Sequence, residues 1–354
     1  MDEGKMNRRT FVEMVGASAL VTFSTFGVRT ARAAVQITAA EAVETLLYLP
    51  LYVAYQRGFF QEEGLDVTIF NAQQRSIALR AILAGSALTY NGDPAEPARA
   101  QRRGQNVKNI GVLVDRAGGD LLGKKGIHKD PKTWEGFRIV VPRPPHTSVS
   151  LIQMVLLGAG YTKADQDGLV WKPTGSSKES QFVRLIPVVA GSELAALEAG
   201  SGELSITLEP ESSIGIAHGY EAITSFAELF GPFLYTSFAV TGEAIQKQAE
   251  TVQKFVNALT KACVFGHKYP AKAAEDGVKR FSKADPKIIG AASERIIQSG
   301  SYPKNLVITK ESYASNFDKL LVRTHSHVAK YPFEKLVYNG FAQKAASEIT
   351  EASV

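Results

Sequence analysis

The stretch from Pro50 to Ile69 most constrains the fold. Pro50-Leu51-Tyr52-Val53-Ala54 opens on a residue suited to the first turn of a helix, where its missing N–H is harmless. Gly58 falls where a helix needs a left-handed stop. Leu65-Asp66-Val67-Thr68-Ile69 then alternates apolar and polar residues, the period of a strand with one buried face. The reading is a helix that hands over to a strand. Val35 to Ala40 also alternates and supplies an earlier strand, so Glu41 to Leu49 becomes the loop between strand and helix.

The same alternation continues. Ser76 to Ala84 reads as a helix ended by Gly85, and Ala87 to Tyr90 as a strand that breaks at the turn signal Asn91-Gly92-Asp93-Pro94. Pro97 to Arg103 reads as a helix and Asn109 to Val114 as a strand. Strands and helices at this spacing predict a parallel, helix-covered sheet. The pattern restarts after Trp134-Glu135-Gly136. Arg138 to Val141 is a buried strand, Pro142, Pro144 and Pro145 stiffen a loop, and His146-Thr147-Ser148 opens a helix to Leu157, with Thr147 or Ser148 as its N-cap. Leu169 to Trp171 and Leu204 to Leu208 are strands. Ser192 to Ala199 and Glu211 to His218 are helices closed by Gly200 and Gly219. From Phe233 to Val240 runs one more strand, and then helical stretches over Ala249 to Lys268, Pro270 to Phe281 and Ser312 to Val328. These late helices are expected to pack back on the first domain.

Upstream lies an export pattern. Asn7-Arg8-Arg9-Thr10-Phe11-Val12 is a twin-arginine motif, Val15 to Val28 is moderately apolar, and Ala31-Arg32-Ala33 is a small-x-small cleavage site. The apolar stretch is short and rich in Gly, Ser and Thr, unlike a spanning helix. Met1 and Met6 both remain as start positions. The expectation is a soluble mature protein in the periplasm, with the signal cleaved near Ala33.

Composition narrows function mostly by exclusion. The formal net charge is +5 over 354 residues, and five basic against three acidic residues in the first 33 leave +3 on the mature part. That bias is too weak to argue for nucleic acid, and Gln101-Arg102-Arg103-Gly104 reads as a solvated helix end. The single cysteine, Cys263, has apolar neighbours and reads as a buried small hydrophobe; no intramolecular disulfide is available. His325-Ser326-His327 would point two ways from a helix and reads as surface, not as a metal site. No Walker loop or dinucleotide fingerprint occurs. No catalytic residue, metal ligand or cofactor is assigned.

Several motifs in order resemble the periplasmic solute-binding proteins that serve importers of alkanesulfonates, nitrate, taurine and thiamine-precursor pyrimidines. They are Leu49-Pro50-Leu51-Tyr52-Val53-Ala54, Gly58-Phe59-Phe60, Gly64-Leu65-Asp66-Val67, Ala81-Ile82-Leu83-Ala84-Gly85, Gly104-Gln105-Asn106-Val107-Lys108, Trp134-Glu135-Gly136, Ala195-Ala196-Leu197-Glu198-Ala199-Gly200 and Glu209-Pro210. The resemblance spans about residues 35 to 265. It departs at Gly85-Ser86-Ala87-Leu88-Thr89, where the family has an acidic or basic residue before Ala/Val-Asp-Phe. It departs again at Thr174 to Val189, which reads as an inserted loop or edge strand. The resemblance implies an α/β protein of type II periplasmic binding architecture: two lobes, each a helix-covered mixed sheet, with a ligand cleft between them. Residues 34–120 plus 233–354 would form the first lobe and 121–232 the second. It implies a monomer that captures a small organic solute by hinge closure and delivers it to an ABC permease in the inner membrane. Two other readings stay open: a periplasmic ligand sensor for a membrane kinase or chemoreceptor, and an enzyme on the same fold such as a pyrimidine synthase. The single cysteine weakens the last, because those synthases use a cysteine-rich iron-binding segment.

Such a cleft lies at strand C-terminal ends, where helix N-termini supply free N–H groups. Four places in the chain fit. Glu44 and Thr45 lie in the loop after the first strand; Asn91, Gly92 and Asp93 in the turn after the third; His146, Thr147 and Ser148 before a helix; and Glu209 at the end of a buried strand. Each has a purely structural alternative as a cap, corner or solvated loop. Backbone N–H groups favour an anion, whereas Glu44, Asp93 and Glu209 oppose a simple inorganic one. A sulfonate with an amine, a zwitterion or a nitrogen heterocycle reconciles the two. Tyr48, Tyr52, Trp171 and Tyr235 offer stacking surface or core.

Overall fold

The computed structural model describes residues 33–144, 146–324 and 326–354. The twin-arginine motif, the apolar stretch behind it, Pro145 and His325 lie outside those residues. The first half-unit builds as the sequence predicts, with one addition. Strand β1 (Val35–Glu41) leads through a short 3-10 turn at Leu46–Tyr48 into helix α1 (Leu49–Gln56). Pro50 sits in the first turn of α1, and the run from Leu49 to Ala54 is buried. Gly58, at φ +78°, does end that helix, but it hands over to a four-residue helix α2 (Phe59–Glu62) before strand β2 (Leu65–Asn71). Phe59 and Phe60 explain the extra turn: Phe60 stacks on Phe255 with ring centroids 5.2 Å apart, and Phe59 meets Phe265 edge-on at 5.8 Å.

Helix α3 (Arg75–Leu83), strand β3 (Thr89–Gly92), helix α4 (Ala95–Arg102) and strand β4 (Val107–Arg116) follow. The strand expected over Ala87 to Tyr90 is displaced towards Asn91 and Gly92, which are strand and not turn. Both neighbours impose this. The Asn91 amide donates to the Ala40 carbonyl at 3.1 Å and its own carbonyl accepts from Ala42 N–H at 2.9 Å, while the late strand pairs with Tyr90 to Gly92 from the other side.

The chain then crosses to a second sheet through Ala117-Gly118-Gly119. Its strands are β5 (Asp120–Gly123), β6 (Arg138–Pro142), β7 (Tyr161–Lys163), β8 (Val170–Pro173), β9 (Val183–Val188), β10 (Leu204–Thr207) and β11 (Glu221–Ser225). Helices α5 (Thr147–Gly158), α6 (Glu193–Glu198), α7 (Glu211–Ala217) and α8 (Phe226–Phe230) connect or follow them. The spatial order is β11-β5-β10-β6-β9-β8-β7. The segment expected as an inserted loop or edge strand contains β9, which is interior: it runs parallel to β6 and antiparallel to β8. Trp134, fully buried, anchors the approach to β6 and donates its indole N–H to the His128 carbonyl at 2.9 Å.

Strand β12 (Pro232–Thr241) returns the chain to the first sheet, whose order is β2-β1-β3-β12-β4. The first sheet is mixed: β1 is parallel to β2 and β3, and β12 is antiparallel to β3 and β4. The remaining helices include α9 (Gly242–Lys247), α10 (Ala249–Lys268), α11 (Pro270–Arg280) and α12 (Pro286–Gln298). Cys263 is wholly buried in α10, as its neighbours predicted. Helix α12 carries Arg295, which reaches Asp120 of β5. One late expectation changes. The stretch from Ser312 to Val328 is not one helix: a helical turn at Lys310–Ala314 widens into a π-helical segment at Ser315–Leu320 and ends at Arg323, leaving His327 exposed in a turn. Among the described residues, no helix is long and apolar enough to cross a membrane.

Candidate functional site

A cleft of about 410 Å³ opens where strands β1, β2, β6, β9 and β10 end and the helices after them begin. Its walls carry Val43, Glu44 and Thr45 after β1, the Asn71–Gln74 link after β2, and His146 and Ser148 after β6. Val189 to Glu193 follow β9, and Leu208 to Glu211 follow β10. Behind it lies a second space of about 30 Å³, which shares Val43, Thr45, His146 and Leu208 with the first.

The β1 loop is held from two directions. Glu41, fully buried at the strand end, accepts from the Tyr52 hydroxyl at 2.8 Å and from Arg280 at 2.9 Å. Burial still raises its carboxyl pKa, against the lowering by Tyr52 and Arg280. The same guanidinium lies 5.0 Å over the Tyr52 ring and pairs with Glu44 at 2.7 Å, so Glu44 faces the cleft with its charge matched. Thr45 accepts from Leu47 N–H and donates its hydroxyl to the Glu209 carbonyl at 3.1 Å, which also receives Leu46 N–H at 3.1 Å. The loop after β1 is thereby tied to the corner after β10.

At that corner the Glu209 carboxylate accepts the Ser213 N–H at 3.1 Å and hydroxyl at 3.0 Å, and pairs with Arg295 at 3.0 Å. Arg295 also binds Asp120 at 2.8 Å. Burial nonetheless dominates and pushes the Glu209 pKa up to about 7, against the opposing pull of Arg295. Two further carboxylates line this wall. Glu193, the first residue of α6, accepts Gly191 N–H from the preceding loop at 2.7 Å. Glu211 has no hydrogen-bond partner among the described residues; burial, reinforced by the neighbouring Glu193 charge, raises its pKa to about 7.

The opposite wall differs. His146, and not Thr147 or Ser148, caps α5: its Nδ1 accepts the Ser148 N–H at 3.1 Å. That bond leaves Nε2 to carry the proton. Desolvation, then the positive charge of Arg75, pushes the imidazole pKa well below its usual value, so the ring is neutral. Helix α3 starts at Gln74 with no side-chain cap, and neither α3 nor α5 has an acidic residue in its first turn. Gln73, beside the cleft, is a non-glycine residue at φ +57°, with its N–H on the Asn71 side chain at 3.0 Å.

The structure thus gathers Glu44, Thr45, His146, Ser148 and Glu209 around the main cleft, and Asp93 and Thr147 around the space behind it. Asp93 caps α4 through Ala95 N–H at 2.9 Å and accepts the Thr147 hydroxyl at 3.4 Å. Ser148 is spent on the Tyr235 hydroxyl at 2.9 Å. Asn91 and Gly92 line neither space. Asn91 is a sheet residue, and a Cβ at Gly92 would sit 2.5 Å from the Tyr90 hydroxyl, so packing explains both. All four aromatic candidates, Tyr48, Tyr52, Trp171 and Tyr235, are buried; Tyr48 and Tyr235 also line the small space. Sequence reasoning missed Asn71, Gln73 and Gln74, because β2 runs two residues further than its alternation showed. It also missed Glu193, Glu211 and the supporting arginines Arg280 and Arg295. An acidic residue in the first turn of a helix that follows a strand was the available signal for the two glutamates.

The family model described as "NMT1/THI5 like" matches residues 47–166. YtlA of Bacillus subtilis (strain 168), named as a candidate binding protein, is 26% identical over 322 residues, 88% of this chain and 90% of that protein. The zinc-bound ligand-binding component of an ABC-type import system from Staphylococcus aureus superposes with a TM-score of 0.68 at 13% identity, covering 88% of this chain and 99% of that one. The periplasmic aliphatic sulphonate binding protein SsuA from Escherichia coli does so with a TM-score of 0.64 at 10% identity, over 84% and 94%.

Proposed function

We propose that this chain, which has the type II periplasmic binding protein fold, is the solute-binding component of an ABC importer. On this reading residues 1–33 direct twin-arginine export. Residues 34–120 with 233–354, and residues 121–232, act as two lobes that close on a solute and present it to a permease. The likeness to YtlA and to import-system components supports the role.

One observation carries the ligand class. Four carboxylates (Glu44, Glu193, Glu209 and Glu211) line the 410 Å³ cleft, and among the described residues no Lys or Arg does. Arg280 and Arg295 match Glu44 and Glu209, so a simple anion would meet Glu193 and Glu211 with no cation on the cleft lining itself to offset them. A protonated amine or a nitrogen heterocycle meets the α6–α7 wall, while the α3 and α5 N-termini accept an electron-rich end. The solute is therefore a nitrogenous base or a zwitterion, and not nitrate or a plain sulfonate.

Thermal melting tests this, since binding to the native state alone raises the melting temperature. With 4-aminopyridine or taurine the midpoint should rise in a saturable way; with sodium nitrate or methanesulfonate it should not. A saturable rise with methanesulfonate and none with the nitrogen bases would overturn the assignment.

A further inference from the structure

The small space behind the cleft is not explained by capture of a ring or an amine in the main cavity. Its wall includes Thr236 of β12, a residue only 7% exposed whose hydroxyl oxygen is buried without a hydrogen-bond partner among the described residues. Buried hydroxyls are normally paired, because desolvating one without compensation is unfavourable. The backbone has been re-aimed to put it there: the β12–β4 register shifts on both sides of Thr236, between Pro232 and Thr236 and between Thr236 and Ser237. Such breaks in a ladder redirect side chains towards sites.

The other walls are also polar. His146 lines both spaces and, with Nδ1 engaged at the helix cap, offers Nε2–H as a neutral donor. Asp93 holds Thr147 at 3.4 Å, accepts Ala95 N–H at 2.9 Å and pairs with Arg99 at 3.7 Å, and Arg75 lines the same space. At about 30 Å³ against about 410 Å³ for the main cleft, it has room for a water or a small substituent and not for a second ring.

We propose that this space is the inner subsite of the cleft: it receives a single hydroxyl or amino substituent of the bound solute, hydrogen-bonded by Thr236, and holds one water when the cleft is empty. The inference rests on the nitrogenous-solute reading and adds to it a requirement on the ligand, a small polar substituent projecting past Val43 and Leu208.

The test uses the full mature chain, 4-aminopyridine as the substituted probe and pyridine as the bare one, with Thr236→Val and Thr236→Ser. The valine variant removes the hydroxyl at nearly constant shape, and because no described residue pairs with that hydroxyl the fold should be kept, which the melting midpoint checks. Expected are a threefold to tenfold loss of 4-aminopyridine affinity in Thr236→Val, retention in Thr236→Ser, and no change for pyridine. Crystals of the unliganded protein should show one water on the Thr236 hydroxyl, absent in Thr236→Val. If wild type and Thr236→Val bind 4-aminopyridine equally, the inner subsite is refuted while the cleft reading stands. If wild type binds neither probe, the cleft reading falls and takes the subsite with it.

Discussion

Replacing Arg295 by Met gives a sharp check on how the cleft wall is held. Arg295 is the shared partner of Glu209 and Asp120, whose side chains are 7% and 8% exposed, and it is itself 38% exposed. Removing one partner from a fully buried pair costs about 3–5 kcal/mol. The water around the guanidinium screens part of that interaction, so about 2 kcal/mol at pH 8 is the expected loss. For a chain of this size that is a fall of about 4 °C in the melting midpoint. The pH dependence is diagnostic. The folded pKa of Glu209 is about 7 against an ordinary 4.5, so the folded state keeps this proton longer than the unfolded chain. Its contribution to stability is fully present below pH 4.5 and is lost as pH rises through 7. Without Arg295 the folded pKa moves higher still, and the loss extends further up the scale. The deficit should therefore be smaller near pH 5, where Glu209 is protonated in both proteins and the Asp120 pairing alone is lost, and largest at pH 8. Chemical denaturation at the two pH values reads this directly. A deficit of equal size at pH 5 and pH 8, or none at pH 8, would refute the assignment of Arg295 as the counter-charge of buried Glu209.

Three other outcomes are expected. Replacing Arg8 and Arg9 together with lysine should leave the unprocessed chain in the cytoplasm; cell fractionation that finds normal mature protein in the periplasm would remove the twin-arginine route. Gly119 lies at φ +103° where the chain crosses between sheets, and a Cβ there would stand 2.9 Å from the Thr207 carbonyl, so Gly119→Ala should lose about 2 kcal/mol by urea titration, and an unchanged midpoint would contradict it. Cys263 is wholly buried, with its thiol pKa pushed far above the ordinary range by desolvation alone, so a thiol reagent should label it only after unfolding, and stoichiometric labelling of native protein would show that α10 opens.

The parts of the fold legible in the sequence were those whose local signals agree with their tertiary surroundings. Pro50, Gly58 and the alternation from Leu65 to Ile69 mark element ends by backbone chemistry, and the structure keeps them. What escaped was set by neighbours. Asn91-Gly92 has a turn's composition, yet strands on both sides pull it into the sheet. Strand β9 carries Arg184 and Pro187 amid apolar residues, so its interior place follows from β6 and β8 and not from its own pattern. The site divides the same way. Glu44, Thr45, His146 and Glu209 were found because they follow strand ends. Glu193 and Glu211 were hidden inside predicted helices, and Arg280 and Arg295 come from helices far along the chain, where no local motif relates them to the cleft.

The position of those acidic residues explains why likeness of fold does not carry ligand chemistry here. Any strand-to-helix junction offers unpaired N–H groups, and an anion binder needs them open to the ligand. In this chain two of these junctions carry acidic groups of their own: Glu193 stands in the first turn of α6, and Glu209 takes Ser213 N–H in α7. The α7 corner spends Arg295 on that internal carboxylate and Asp120, and Arg280 is likewise spent on Glu41 and Glu44. These two arginines thus hold the cleft wall, while Arg75 lines the smaller adjoining space. Of the helices that start at the cleft, α3 and α5 have no acidic residue in the first turn, and α5 is capped by a neutral histidine. On the proposed reading, glutamates at two helix starts turn this fold towards a solute that donates hydrogen bonds on that side.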